Sequence, residues 1–393
     1  MTPTDPAGPS AGWRGLAAVI ASAGIVGITY GCLAPLLALL LEKQGHPHWA
    51  IGINGSAGLA AAILLAPLVP KAFARLGFLN AMLLAVLGEV VCILLLLVWR
   101  DIWFWTLLRF AIGFFGTIQW IGSETWIVSA APAALRGRVI ALYMIAISAG
   151  FALGPVVVDA TGSGGSGAFL VAAGLILAAG LLIWSARGIA PKLPEAPKAA
   201  FLVAFRVAPL VMAAALLAGF VDMGLLTHLV NFGRAAGFSE ETALKMLSVL
   251  LAANLVMQFP VGWLADRVDK RRLIVVFGLV FFLAPIAVNA TVGTSLFLWP
   301  AMIVWGICSM GIYTVALTVL GERFGPALLS SANAAIVALY QLGGLSGTFA
   351  GGAGMDLMGN PGLMWVFSAA GLLFLCFAAY RTCQRGRAPR SRM

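Results

Sequence analysis

Residues 140–162, IALYMIAISAGFALGPVVVDATG, and residues 337–359, VALYQLGGLSGTFAGGAGMDLMG, are two versions of one pattern, 197 residues apart. Tyr143 meets Tyr340, Gly150 meets Gly347, Gly154 meets Gly351, Asp159 meets Asp356 and Gly162 meets Gly359. Shared glycine richness would not also align a tyrosine and an aspartate. Each copy is an apolar run of the length that spans a bilayer as a helix, about 20 residues. A self-match at this shift divides the chain into two parallel halves, each built from the same series of elements.

Composition agrees. The chain has 393 residues, 62% of them hydrophobic and 10% charged, with a mean hydropathy of +1.02. A soluble domain is about half apolar and about a quarter charged. A water-soluble enzyme, a nucleic-acid-binding domain and a disordered protein are excluded. The net charge of +10 comes from basic residues in the loops between apolar runs, where they orient the chain in a membrane. No nucleic-acid partner is expected. Cys32, Cys92, Cys308, Cys376 and Cys383 form no C-x-x-C pair and there is no His cluster, so neither a metal nor a cofactor is expected.

The expected fold is an all-α polytopic membrane protein of twelve transmembrane helices in two six-helix halves. Spans are read at 13–41, 49–69, 78–99, 102–129, 139–159, 168–186, 207–231, 243–264, 273–292, 296–320, 331–355 and 362–380. Residues 1–12 (MTPTDPAGPSAG) form a disordered tail, 13–186 the first half, 187–206 a proline-containing linker, 207–380 the second half and 381–393 a basic tail. With the N-terminus inside, nineteen basic residues fall on the cytoplasmic side. Four (Lys43, Arg100, Arg234 and Lys245) fall opposite, and Arg109 lies within a span. The bias places both termini in the cytoplasm of a plasma (inner) membrane protein.

Between spans eight and nine stands Gly262-Trp-Leu-Ala-Asp266-Arg267-Val-Asp269-Lys270-Arg271-Arg272. Gly262 lets two helices approach closely. Asp266 can accept bonds from a helix N-terminus or a neighbouring Arg, and Arg267, Lys270 and Arg271 meet the anionic inner leaflet. The stretch resembles the loop motif G-x-L-a-D-R-x-x-R/K-R of the major facilitator superfamily. Its counterpart in the first half, APLVPKAFARLGF, keeps Lys71, Arg75 and Gly77 but has no Asp. The fifth-span sequence Gly150-Phe-Ala-Leu-Gly154-Pro155 resembles the family's G-x-x-x-G-P motif. Glycines four apart permit close helix packing, and Pro155 interrupts the hydrogen-bond ladder. These residues are candidates for gating.

Span four reads Arg109-Phe-Ala-Ile-Gly113-Phe-Phe-Gly116, and helical spacing continues its face through Gln119, Trp120, Ser123 and Glu124. Roughly 22 Å of helix separates Arg109 from Glu124, so each needs its own partner. Glu89 lies in span three, and Asp222 lies in span seven with His228 six residues on. Ionisable groups inside a membrane are costly and mark function. In hydrocarbon the uncharged carboxyl is favoured, which suits a proton carrier. Glu89, Arg109, Glu124 and Asp222 are therefore candidates for proton coupling. For Glu89 and Asp222 the alternative is a carboxylate satisfied by Arg109 or by a hydroxyl-bearing helix. Asp159 and Asp356 are expected to cap or anchor loops.

Residues 120–155, GSETWIVSAAPAALRGRVIALYMIAISAGFALGP among them, resemble the YcaD-like branch of the same superfamily. That resemblance implies that spans one, four, seven and ten line a central cavity. Tyr30, Gln119, Trp120, Glu124, His228, Trp305 and Tyr313 lie on those spans and become candidates for substrate binding. It further implies a monomeric secondary transporter, not an enzyme, that moves a small organic solute by alternating access. Coupling to protons is expected, with efflux favoured over uptake. No G-x-x-x-x-G-K-[ST] loop for ATP is present. A non-transporting assembly factor or sensor on the same fold is the competing reading.

Overall fold

The computed structural model describes residues 9–132, 135–162, 164, 166–189, 208–292, 295–323 and 326–387. Among them there is no strand. The helices are α1 (Pro9–Lys43), α2 (His48–Leu65), α3 (Val69–Leu76), α4 (Phe78–Leu95), α5 (Ile102–Ala130), α6 (Arg136–Thr161) and α7 (Gly167–Ser185). They continue with α8 (Pro209–Ala235), α9 (Glu240–Arg267), α10 (Lys270–Thr291), α11 (Ser295–Arg323), α12 (Pro326–Met358) and α13 (Gly362–Arg387). A chain this apolar forms helices because each satisfies its own backbone donors and acceptors away from water. Ten of them are long and apolar enough to cross a membrane; α3, α9 and α12 fall outside that group among the described residues.

Two compact units result. The first comprises Met1–Gly45 and Ile53–Ala196; the second comprises His46–Gly52 and Pro197–Met393. One cut lies in the stretch expected as a linker, while His46–Gly52, read as part of the first half, groups with the second unit. The expected boundaries move at several points. The helical start is Pro9, within the stretch read as a tail. The final helix runs on to Arg387. Of the linker, Arg187–Ile189 forms a short 3-10 turn, while residues 190–206 lie outside the described residues. The loop after the second span holds the helix α3, whose Val69 and Phe73 are buried while Lys71 is exposed.

Several pairs of neighbours recur in the two units. In the first, α1 packs on α6 and α7, and α4 packs on α5 and α7. In the second, α8 packs on α12 and α13, and α10 packs on α11 and α13. This is the 197-residue repeat expressed as packing. Glycines set the closest contacts. A Cβ on Gly150 of α6 would stand 2.2 Å from the Gly24 carbonyl oxygen of α1, and one on Gly347 of α12 1.9 Å from that of Phe220 on α8.

Buried aromatics fill the interiors: Trp126 with Phe78 in the first unit, Trp305 with Phe367 in the second. Large apolar side chains also point outward, Leu107 and Leu373 among them. Such surface is costly in water and natural in lipid.

Candidate functional site

In the first unit, Glu89 of α4 and Gln119 of α5 are buried and joined: Gln119 Nε2 donates to Glu89 Oε2. Tyr30 of α1 lies beside Glu89, and its hydroxyl donates to the Ile112 carbonyl at 3.3 Å. Gly116 makes the room. A Cβ there would stand 1.8 Å from the Tyr30 hydroxyl. Gly113 has a different task, because its Cβ would meet the Gly58 backbone of α2 at 2.3 Å. The spaced glycines of span four thus seat a tyrosine and a helix. Arg109, one turn below Gly113 on the same helix, is buried near Tyr30. Three polar atoms of this cluster have no partner among the described residues: Glu89 Oε1, Gln119 Oε1 and Arg109 Nε.

Glu124 stands apart on the exposed side of α5. Its Oε1 accepts from the indole Nε1 of Trp120 at 2.9 Å, and Tyr143 of α6 lies nearby. Arg109 and Glu124 occupy separate places, as their spacing requires.

In the second unit, Asp222 of α8 accepts two hydroxyls. Ser309 of α11 donates to Oδ1, and Tyr340 of α12 donates to Oδ2 at 3.1 Å. Tyr313 packs edge-on to Tyr340, with ring centroids 5.2 Å apart. Ser309 and Tyr340 were not among the candidates read from sequence. A signal existed for Tyr340, which is the repeat partner of Tyr143. Each of these two tyrosines lies beside a carboxyl group in its own unit.

His228 does not join Asp222. Its Nε2 lies 2.9 Å from the Thr348 carbonyl of α12, so that nitrogen carries the proton and donates. The ring packs edge-on to His48 at 6.4 Å. Asp356 completes this corner of the unit, accepting from the backbone N–H groups of His48 at 3.0 Å and Trp49 at 2.7 Å. It thereby caps the first turn of α2, the anchoring role expected of it. Trp305 is fully buried against Phe367, a core position.

In the loop between α9 and α10 the capping carboxylate is Asp269. Its Oδ1 accepts from the backbone N–H groups of Arg271 at 3.0 Å and Arg272 at 2.9 Å. Those bonds, the one from Arg272 foremost, hold the Asp269 carboxyl below its ordinary value. Arg267 lays its guanidinium over the Trp263 ring at 3.8 Å, a cation–π contact. The helix runs unbroken through Gly262 and Asp266 to Arg267, while the side chains at 262 and 266 lie outside the described residues. Pro155 sits inside α6, which continues to Thr161.

A helical membrane chain built twice over, with carboxyl groups inside each half, belongs to the class of secondary transporters. The family model of the Major Facilitator Superfamily matches residues 19–348 and 246–392, and the chain belongs to that family. The MFS-type transporter YfkF of Bacillus subtilis (strain 168) is 26% identical over 354 residues, covering 87% of this chain and 88% of that protein. YcaD of Escherichia fergusonii is 26% identical over 318 residues, covering 80% and 82%. The crystal structure of a D-xylose-proton symporter shares the fold with a TM-score of 0.72 at 16% identity, covering 92% of this chain and 96% of that one. The resemblance to the YcaD-like branch is thereby borne out. The protein is an integral membrane protein.

Proposed function

We propose that the chain is a proton-coupled secondary transporter that carries a small organic solute across the plasma (inner) membrane by alternating access. It works as a monomer with both termini in the cytoplasm, and efflux is the favoured direction. One observation carries the coupling: three carboxyl groups within the spans are met by neutral donors. Glu89 has the amide of Gln119, Asp222 has the hydroxyls of Ser309 and Tyr340, and Glu124 has the indole of Trp120. A carboxyl group so held can gain or lose a proton without breaking an ion pair. Proton coupling in a symporter of the same fold supports this reading.

Glu124 and Trp120 are the leading solute contacts. Both are exposed, and an exposed carboxylate in a membrane span requires water beside it. An aromatic wall next to an acid suits a planar or cationic organic molecule. Tyr30, Gln119, Tyr313, His228 and Trp305 remain on the proposed solute-binding helices, the last two as packing support. Gly150, Gly154, Pro155 and the stretch Gly262–Arg271 belong to the helices that move.

The test is thermal stabilisation of the purified protein against metabolites, vitamins and drugs. A hit is then taken into proteoliposomes with and without an imposed pH gradient. Transport that responds to the gradient is expected. Folded protein that binds no compound and moves none would overturn the proposal.

A further inference from the structure

We propose that Glu89 is held as a neutral carboxylic acid in a two-bond ring with Gln119, which makes Gln119 the positioning residue for a stored proton. The ring closes when the acid O–H of Glu89 Oε1 donates to Gln119 Oε1 while Gln119 Nε2 donates to Glu89 Oε2. The proposal deepens the proton-coupled reading, and rests on it only for the use to which the proton is put.

Two polar atoms of this pair are left over. Gln119 Nε2 already donates to Glu89 Oε2. Glu89 Oε1 and Gln119 Oε1 are both buried and both without a donor among the described residues. Two orphaned acceptors on a pair of groups already in contact are a defect that buried polar groups rarely show. One added proton removes both orphans at once, because a carboxylic acid supplies the missing donor. The result does not depend on how the amide is turned, since an acid and an amide each present one donor and one acceptor edge.

The surroundings favour the neutral form. Glu89 is fully buried, with a relative exposure of 0%. Its titratable neighbours are Tyr30 from α1, Arg109 from α5 by way of Tyr30, and Cys92 on its own helix. Helix α7, the other helix packed on α4 at this level, has no titratable residue. Lys71 and Arg75 of α3 pack near the start of α4, about three turns away. Among the described residues no cation lies against the carboxyl group itself. An ionised carboxylate in so dry a place would have only the neutral donors of Gln119 and Tyr30 around it.

Tyr30 supplies the second state. Its hydroxyl now serves the Ile112 carbonyl over a long 3.3 Å, and it lies beside Glu89. When a conformation that wets the site lets the O–H bond of Glu89 break and the proton pass to water, the Tyr30 hydroxyl, already within hydrogen-bond reach of Glu89, is the donor that serves the carboxylate. Gln119 keeps its Nε2 bond in both states.

Infrared spectroscopy of the purified, ligand-free protein tests the ring directly. The carbonyl stretch of a protonated carboxyl group is read as the difference between wild type and Glu89→Gln. The expected result is such a band at neutral pH, lost in Glu89→Gln and shifted to higher frequency in Gln119→Leu. The exchanged variant Glu89→Gln/Gln119→Glu rebuilds the ring with its members swapped, and should keep the band even if Gln119→Leu does not fold. A band that appears only near the ordinary glutamate range, about pH 4, would overturn the proposal. A band present at neutral pH but unmoved by Gln119→Leu, or lost in the exchanged variant, would overturn it too. Failure of proton-driven transport with the band intact would count against the proton-coupled reading and leave the ring standing.

Discussion

Gly154 of α6 lies so close to Gly31 of α1 that a Cβ on Gly154 would stand 2.1 Å from the Gly31 carbonyl carbon. The motif that suggested movement in sequence is therefore a contact between two helix backbones. Any motion of α6 carries α1 with it or breaks this contact.

Gly154→Ala is accordingly expected to destabilise the protein by about 1–3 kcal/mol, the usual cost of overpacking. Gly174→Ala is the control, because a Cβ there meets nothing within 4 Å. Its effect should stay within about 0.5 kcal/mol. Melting temperatures of the two variants in detergent check both.

Asp356→Ala removes the carboxylate that caps the first turn of α2. A lost cap costs about 1 kcal/mol. Hydrogen exchange should show the consequence locally, as faster exchange of the His48 and Trp49 amides. Asp356→Asn retains one acceptor oxygen and should lie between the two.

Asp269 makes a prediction about pH. Its folded carboxyl titrates below the ordinary 3.8. The sign follows: its stabilisation is fully present above the unfolded value and fades as pH falls through the lower, folded one. Asp269→Ala should lose about 1 kcal/mol at pH 7 and progressively less below about pH 4. Melting curves of both proteins across that range should converge. Because Asp269 is exposed, the difference should also shrink in high salt.

Glu124→Gln is expected to weaken solute binding at least tenfold, about 1.4 kcal/mol. A solute at 100 times its Kd raises the stability of the wild type by about 2.7 kcal/mol, so a thermal-shift titration resolves the difference. Equal stabilisation of both proteins would remove Glu124 from the solute site.

Much of the fold was legible because hydropathy and repetition are properties of the linear chain. The match of Tyr143 to Tyr340 and of Asp159 to Asp356 exposed the two halves before any contact was known. The helix α3 was missed because Pro67, Pro70 and its basic residues read as loop, while its buried side, Val69 and Phe73, holds only two side chains. The partners of the acids were the harder part. Asp222 finds Ser309 and Tyr340 at separations of 87 and 118 residues, which no local spacing encodes. Trp305 and His228 read as lining residues because the family resemblance put spans seven and ten around a central cavity, and a span's place does not say which of its faces is open; both side chains are buried. The cap on α10 comes from Asp269, which lies at the bend where an N-cap must be, while the side chain of Asp266 lies outside the described residues.

The most direct test of the central claim is proton movement. Proteoliposomes containing the wild type and a trapped pH indicator are challenged with a solute that raises its melting temperature. The predicted result is a solute-dependent pH change inside the vesicles that is lost in Asp222→Asn while solute binding remains. Solute movement with no accompanying pH change in the wild type would contradict proton coupling.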